Sequence, residues 1–251
     1  HYDVWLYSDH GQAAVRPYTQ VQGYSLRAAV TAAIEKWGTT MRVHHVGAEG
    51  IQTQRVRFLG GRKIQRLLSA FSINDEVEKE SLPVVTSLGS VGHVYLAPAL
   101  SNKAHNFIAR ELVQTHKVPV VLSMVSAGTL RAYTDTGEYR LPRERAALFG
   151  AQHPFLDAIG EDLLRLCEHP DAGDLVVLGW REGVSPLSFA IENGAHAGVM
   201  PEETHGFALL PRDAPVAVRA HSYLRPDDLR NAALRHQRNT HHQHLGARAD
   251  D

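Results

Sequence analysis

Apolar positions along the chain alternate between runs that suit a strand and runs that suit a helix. Tyr2 to Tyr7 is aromatic and aliphatic and stops at Ser8-Asp9-His10-Gly11, which predicts a buried strand ending in a polar loop. From Val21 to Trp37, Leu26, Val30, Ile34 and Trp37 recur on one helical face, and Gly38 closes the run. Arg62 to Phe71 predicts a second helix, and Val84 to Ser87 and His93 to Leu96 predict short strands around the turn Leu88-Gly89-Ser90-Val91-Gly92. Asn106 to His116 predicts a helix, followed by the β-branched run Val118 to Ser123, which suits a sheet buried on both faces. Gly128 to Arg140 predicts a hairpin turning at Asp135-Thr136-Gly137, and Phe155 to Cys167 a helix broken off by His169-Pro170. Leu175 to Leu178, Ser188 to Ile191 and Phe207 to Leu210 are further strands. Arg225-Pro226-Asp227-Asp228 then opens a closing helix, with proline in its first turn and acids at its positive end. The alternation predicts an α/β domain without repeats.

Composition narrows this only a little. At 251 residues and 43% hydrophobic, the chain can bury a sizeable core. Lys+Arg 26 against Asp+Glu 27 leaves a formal charge of -1, so no net field draws it toward a nucleic-acid polymer or an anionic membrane. No apolar run approaches the roughly 18 to 20 residues of a membrane span. Cys167 has no cysteine to pair with in the chain, so cysteine usage assigns no compartment. The chain opens on His1 and runs straight into a strand, which is the expectation for a piece of a longer polypeptide. Residues 234–251 carry His236, His241, His242 and His244 with little apolar anchoring. A solvated, disordered tail is expected there, although a His-rich tract can also bind metal.

Two segments carry candidate chemistry. Ser8-Asp9-His10-Gly11-Gln12 follows the opening strand, where open α/β sheets place ligands, and carboxylate and imidazole are both zinc ligands. The same residues also make an ordinary turn whose aspartate caps a helix. Glu192-Asn193-Gly194-Ala195-His196-Ala197-Gly198 sets a histidine among small residues that let backbone approach an ion. A solvated loop histidine explains it equally. His205, before Phe207-Ala-Leu-Leu-Pro211, is a second candidate.

Ser-Asp-His-Gly-Gln after a strand, the Leu88-Gly-Ser-Val-Gly-His-Val-Tyr95 turn, and Gly-Ala-His-Ala-Gly followed by Phe-Ala-Leu-Leu-Pro resemble the alkaline phosphatase and nucleotide pyrophosphatase superfamily. The likeness is closest to bacterial phosphodiesterase-like members and runs from about Val4 to Pro211, with little support between Val43 and Ser81. It implies an alkaline-phosphatase-like, mostly parallel sheet flanked by helices, of which residues 1–233 would be the C-terminal part. It implies two divalent ions, commonly zinc, with Asp9 and His10 on one and His196 on the other. Ala195 and Ala197 depart from the Ser or Asn and Gly often found there. The superfamily's nucleophile and remaining ligands precede the Ser-Asp-His-Gly segment, so no nucleophile is assigned here and Ser8 is a structural residue of the turn. The N-terminal half of the same domain would be the missing partner.

The function implied is hydrolysis of phosphodiesters or phosphomonoesters, with nucleotide-like substrates, the two ions polarising the phosphoryl oxygen. Sulfatase chemistry shares the scaffold, and a mutase branch is disfavoured by its different late-histidine setting. The alternative from another class is a binding or structural domain that keeps the fold without catalysis. Ser8, Thr204 and Glu192 are candidates to orient the ligands. His44-His45 reads as a surface pair, and Trp180-Arg181-Glu182 as either a substrate contact or a turn. Asp9, His10 and His196 are expected to converge within about 8 Å at one sheet edge.

Overall fold

The computed structural model of the chain describes residues 3–37, 83–96, 100–217 and 223–246. The predicted helix from Arg62 to Phe71 and the pair His44-His45 lie outside the described residues. Two compact units are present: His10–His205, and a second formed by His1–Asp9 with Gly206–Asp251.

In the larger unit a six-stranded sheet is built from β4 (Val84–Leu88), β5 (Val91–Tyr95), β6 (Val120–Ser126), β7 (Thr129–Tyr133), β8 (Glu138–Leu141) and β9 (Leu175–Leu178), in the spatial order β4-β5-β9-β6-β7-β8. Every neighbouring pair is antiparallel. The mostly parallel sheet expected from the sequence is therefore corrected. Its main clue, continuously apolar strands, reports burial on both faces and says nothing of direction. Here both faces are covered. Val94, Val121, Leu175 and Val177 meet Leu26, Val30 and Ile34 of α2 (Leu26–Lys36) and Ile108 and Leu112 of α3 (Asn102–Gln114). Val120, Leu122, Val176 and Leu178 meet Leu148 and Phe149 of α4 (Arg145–Phe149) and Ile159 and Leu163 of α5 (Leu156–Glu168). Alternate residues of β9 thus enter opposite cores, which is why all four are apolar.

Local chemistry sets the helix ends. The hydroxyl of Ser25 accepts from the Ala28 N–H at 3.2 Å, and that of Ser101 from Ala104 N–H at 3.3 Å. The single helix expected from Val21 to Trp37 is instead two, because Gly23 at φ +80° ends α1 (Tyr18–Gln22). α5 ends at extended His169 before Pro170. β2 (Ala13–Ala14) pairs antiparallel with β11 (Gly194–Ala195). β3 (Arg16–Pro17) pairs with β10 (Leu187–Ser188) in the one parallel ladder among the described residues.

The smaller unit joins β1 (Leu6–Tyr7) antiparallel to β12 (Ala208–Leu209) and contains α7 (Pro226–Gly246). The opening segment is not buried as expected: Leu6 is 54% and Tyr7 56% exposed. The stretch from residue 234, expected as a disordered tail, is helical as far as Gly246. Asp227 and Asp228 sit in its first turn, where the helix dipole favours them, and Asp228 Oδ2 accepts from the Arg225 N–H at 2.9 Å. His236 Nε2 lies 2.8 Å from Asp3 Oδ2. Among the described residues no helix is long and apolar enough to cross a membrane.

Leu112 on α3 is wholly buried against the sheet. Leu112→Ala is expected to cost about 2 to 5 kcal/mol, seen as a lower urea midpoint at unchanged m-value.

Candidate functional site

A two-residue ladder creates the site. Ala195 of β11 pairs with Ala13 of β2, and the Val15 N–H reaches the Asn193 carbonyl at 3.0 Å. Ala13, Val15, Ala195 and Met200 form a small core beneath it. Small residues are needed here because the two segments lie close over that core. His10 precedes β2 by a short turn and His196 follows β11 directly, so the ladder delivers both rings to one place. Their centroids are 4.1 Å apart and their planes 15° from parallel.

His10 Nδ1 is 2.6 Å from the carbonyl oxygen of Gly11. A carbonyl only accepts, so this nitrogen carries the proton and the neutral ring has its lone pair on Nε2. This tautomer suits ligation of a metal through Nε2.

The loop that follows His196 is held from three sides. Glu203, 2% exposed, lies on the single turn α6 (Pro201–Thr204). Its carboxylate accepts from Ser90 Oγ at 3.0 Å, from Gly198 N–H at 2.9 Å and from Met200 N–H at 3.2 Å. Its own carbonyl accepts from the Gly11 N–H at 3.0 Å. Gly89, at φ +58°, passes so near His196 that a Cβ there would stand 2.3 Å from the His196 carbonyl oxygen. This explains the glycine of the Leu88–Gly92 turn. Gly11 is equally confined, with the Glu202 carbonyl oxygen 2.0 Å from a would-be Cβ. Ala197 adopts φ +77°, a left-handed conformation unusual for a residue with a side chain. Backbone strain is thus stored next to His196, one of the two stacked histidines.

His153 supports the loop from behind. It is 7% exposed, its Nε2 donates to the Val199 carbonyl at 2.8 Å, and its Nδ1 accepts from the Phe155 N–H at 3.1 Å. Those roles require the neutral ring. Burial is the main cause that pushes its pKa below the ordinary 6.5. The Val199 carbonyl and Glu202 oppose the shift, and His205 adds to it.

Asp9 ends the first of the two segments that make up the smaller unit, and His10 begins the larger. Ser8 is tied to Phe207: its N–H donates to the Phe207 carbonyl at 3.1 Å and its hydroxyl accepts from the Phe207 N–H at 3.0 Å. His205 packs edge-on against Phe155, with centroids 5.1 Å apart. Thr204 donates to the Met200 carbonyl at 3.0 Å, and Glu192 accepts from Ser188 Oγ at 2.8 Å. Arg181 pairs with Asp135 at 2.5 Å, and Trp180 stacks on Phe149. Among the described residues no three His, Cys, Asp or Glu side chains gather closely enough to hold a metal ion. Sequence reasoning missed Glu203. Its signal was Pro201-Glu202-Glu203, a proline and acids opening a helical turn, with the third residue placed to reach the Met200 N–H.

Comparison with protein-family models, with curated proteins and with solved structures gives no significant match.

The sign of the His153 shift fixes a pH dependence. Its folded pKa lies below its unfolded one, so its contribution to stability is complete above about 6.5 and is lost as pH falls through the depressed value. Half-buried His93 and buried His116 shift the same way, with burial again the main cause. The urea midpoint is expected to drop between about pH 7.5 and pH 5.5, and His153→Gln to flatten part of that drop. An unchanged slope in the variant contradicts the assignment.

Proposed function

We propose that the chain supplies part of a two-metal site in a phosphoester hydrolase of the alkaline phosphatase type, acting on phosphodiesters or phosphomonoesters with nucleotide-like substrates. The observation that carries this is the stacked pair His10 and His196, brought together from opposite ends of the larger unit. The resemblance of Ser-Asp-His-Gly-Gln and of the Gly-Ala-His-Ala-Gly loop supports the same reading. It rests on the site and not on the sheet, since one fold hosts many activities.

Two imidazoles, one with Nε2 set as its lone-pair atom, suit a borderline cation such as zinc. They make an incomplete donor set among the described residues. His10 would serve one ion together with Asp9, and His196 the other. Such ions, when bound, polarise a phosphoryl oxygen and activate an oxygen nucleophile. The role of this chain is to hold imidazoles at a fixed spacing beside the small residues Gly194, Ala195, Ala197 and Gly198.

Calorimetric titration with zinc tests this, using the chain with His241, His242 and His244 replaced by glutamine so that the helix end does not compete. Weak binding is expected, falling at least about tenfold in His10→Ala and in His196→Ala. Binding indifferent to both, or none, would favour a domain that binds or scaffolds without catalysis.

A further inference from the structure

Glu203 makes more contacts than its turn of helix requires. Reaching the Met200 N–H would complete that turn. The remaining donors come from elsewhere: the Gly198 N–H, two residues beyond His196, and the Ser90 hydroxyl, in the turn whose Gly89 abuts the His196 carbonyl. Ser90 is itself 2% exposed and is fixed through its carbonyl, which accepts from the Gly179 N–H at 2.7 Å. On its backbone side Glu203 holds the Gly11 N–H, next to His10. One residue therefore grips the chain beside each imidazole and ties both to the end of the β4–β5 hairpin.

A carboxylate this buried is costly unless donors satisfy it, and hydrogen bonds to a charged acceptor are stronger than neutral ones. Glutamine has nearly the same shape but turns an NH2 toward groups that donate, so at least one of the three contacts becomes donor against donor. Neither the packing volume nor the turn of helix is removed by that change. The loss falls on the tether.

We infer that Glu203 is a positioning residue: it sets the face-to-face spacing of His10 and His196 by fixing both backbone limbs against the β4–β5 turn. Its consequence for cation binding rests on the reading of the pair as metal ligands, whereas the spacing itself does not. Through that spacing Glu203 would act on affinity without touching the ion, as groups that orient metal ligands do.

The test uses the full chain without zinc. Selective labelling of histidine allows ring-to-ring nuclear Overhauser contacts between His10 and His196 to be recorded, followed by zinc titration. The wild-type contact is expected, and Glu203→Gln is expected to lose it while keeping the circular dichroism of the sheet, with zinc affinity at the pair down about 10- to 100-fold. Should Glu203→Gln fail to fold, Ser90→Ala removes one donor only and is expected to weaken the ring contact in a folded chain. A full-strength contact in folded Glu203→Gln, or in Ser90→Ala where only that variant folds, overturns the inference. Loss of the contact in a chain whose wild-type pair takes no zinc supports the positioning role and sinks the metal reading instead.

Discussion

A buried residue that binds one segment with its backbone carbonyl and two more with its carboxylate constrains all three at once, and the candidate site hangs on such a residue. Glu203 faces Ser90, Gly198 and Met200 with its side chain and Gly11 with its carbonyl. Removing any partner would leave buried polar atoms without compensation, which costs more than the bond itself is worth. The β2–β11 ladder brings the two histidines to one place, but two residue pairs are a short anchor. The Glu203 contacts prevent the loop after Ala195 from swinging away, and His153 closes it from the Val199 side.

This arrangement accounts for the unusual backbone beside His196. Ala197 at φ +77° is disfavoured on its own and persists only where its neighbours over-determine the loop. Gly89 under the His196 carbonyl and Gly198 on the Glu203 carboxylate supply that over-determination. The larger antiparallel sheet gives the rigid base, because β4 and β5 end in the turn that carries Gly89 and Ser90.

Much of this was legible beforehand. The Leu26, Val30 and Ile34 stripe, the hairpin turning at Asp135-Thr136-Gly137 and the Leu88–Gly92 turn follow from periodicity and turn chemistry, whereas the two histidine segments stood out by their ligand types alone. Strand direction did not follow, since β6 and β9 are apolar on both faces whichever way their neighbours run. Nor did the exposure of Leu6 and Tyr7, because aromatic content marks a strand without saying what covers it. Glu203 escaped for a different reason. A glutamate in sequence reads as a solvated residue, and only the fold reveals that Ser90 and Gly198 wait for it.

The proposal stands or falls on whether His10 and His196 each ligate an ion of one two-metal site, and diffraction from zinc-soaked crystals recorded at the zinc absorption edge tests it most directly. An anomalous peak at about 2.0 to 2.1 Å from an imidazole nitrogen of His10, of His196, or one at each, is the predicted result. Zinc found only elsewhere, with the two rings still stacked and unliganded, would contradict it.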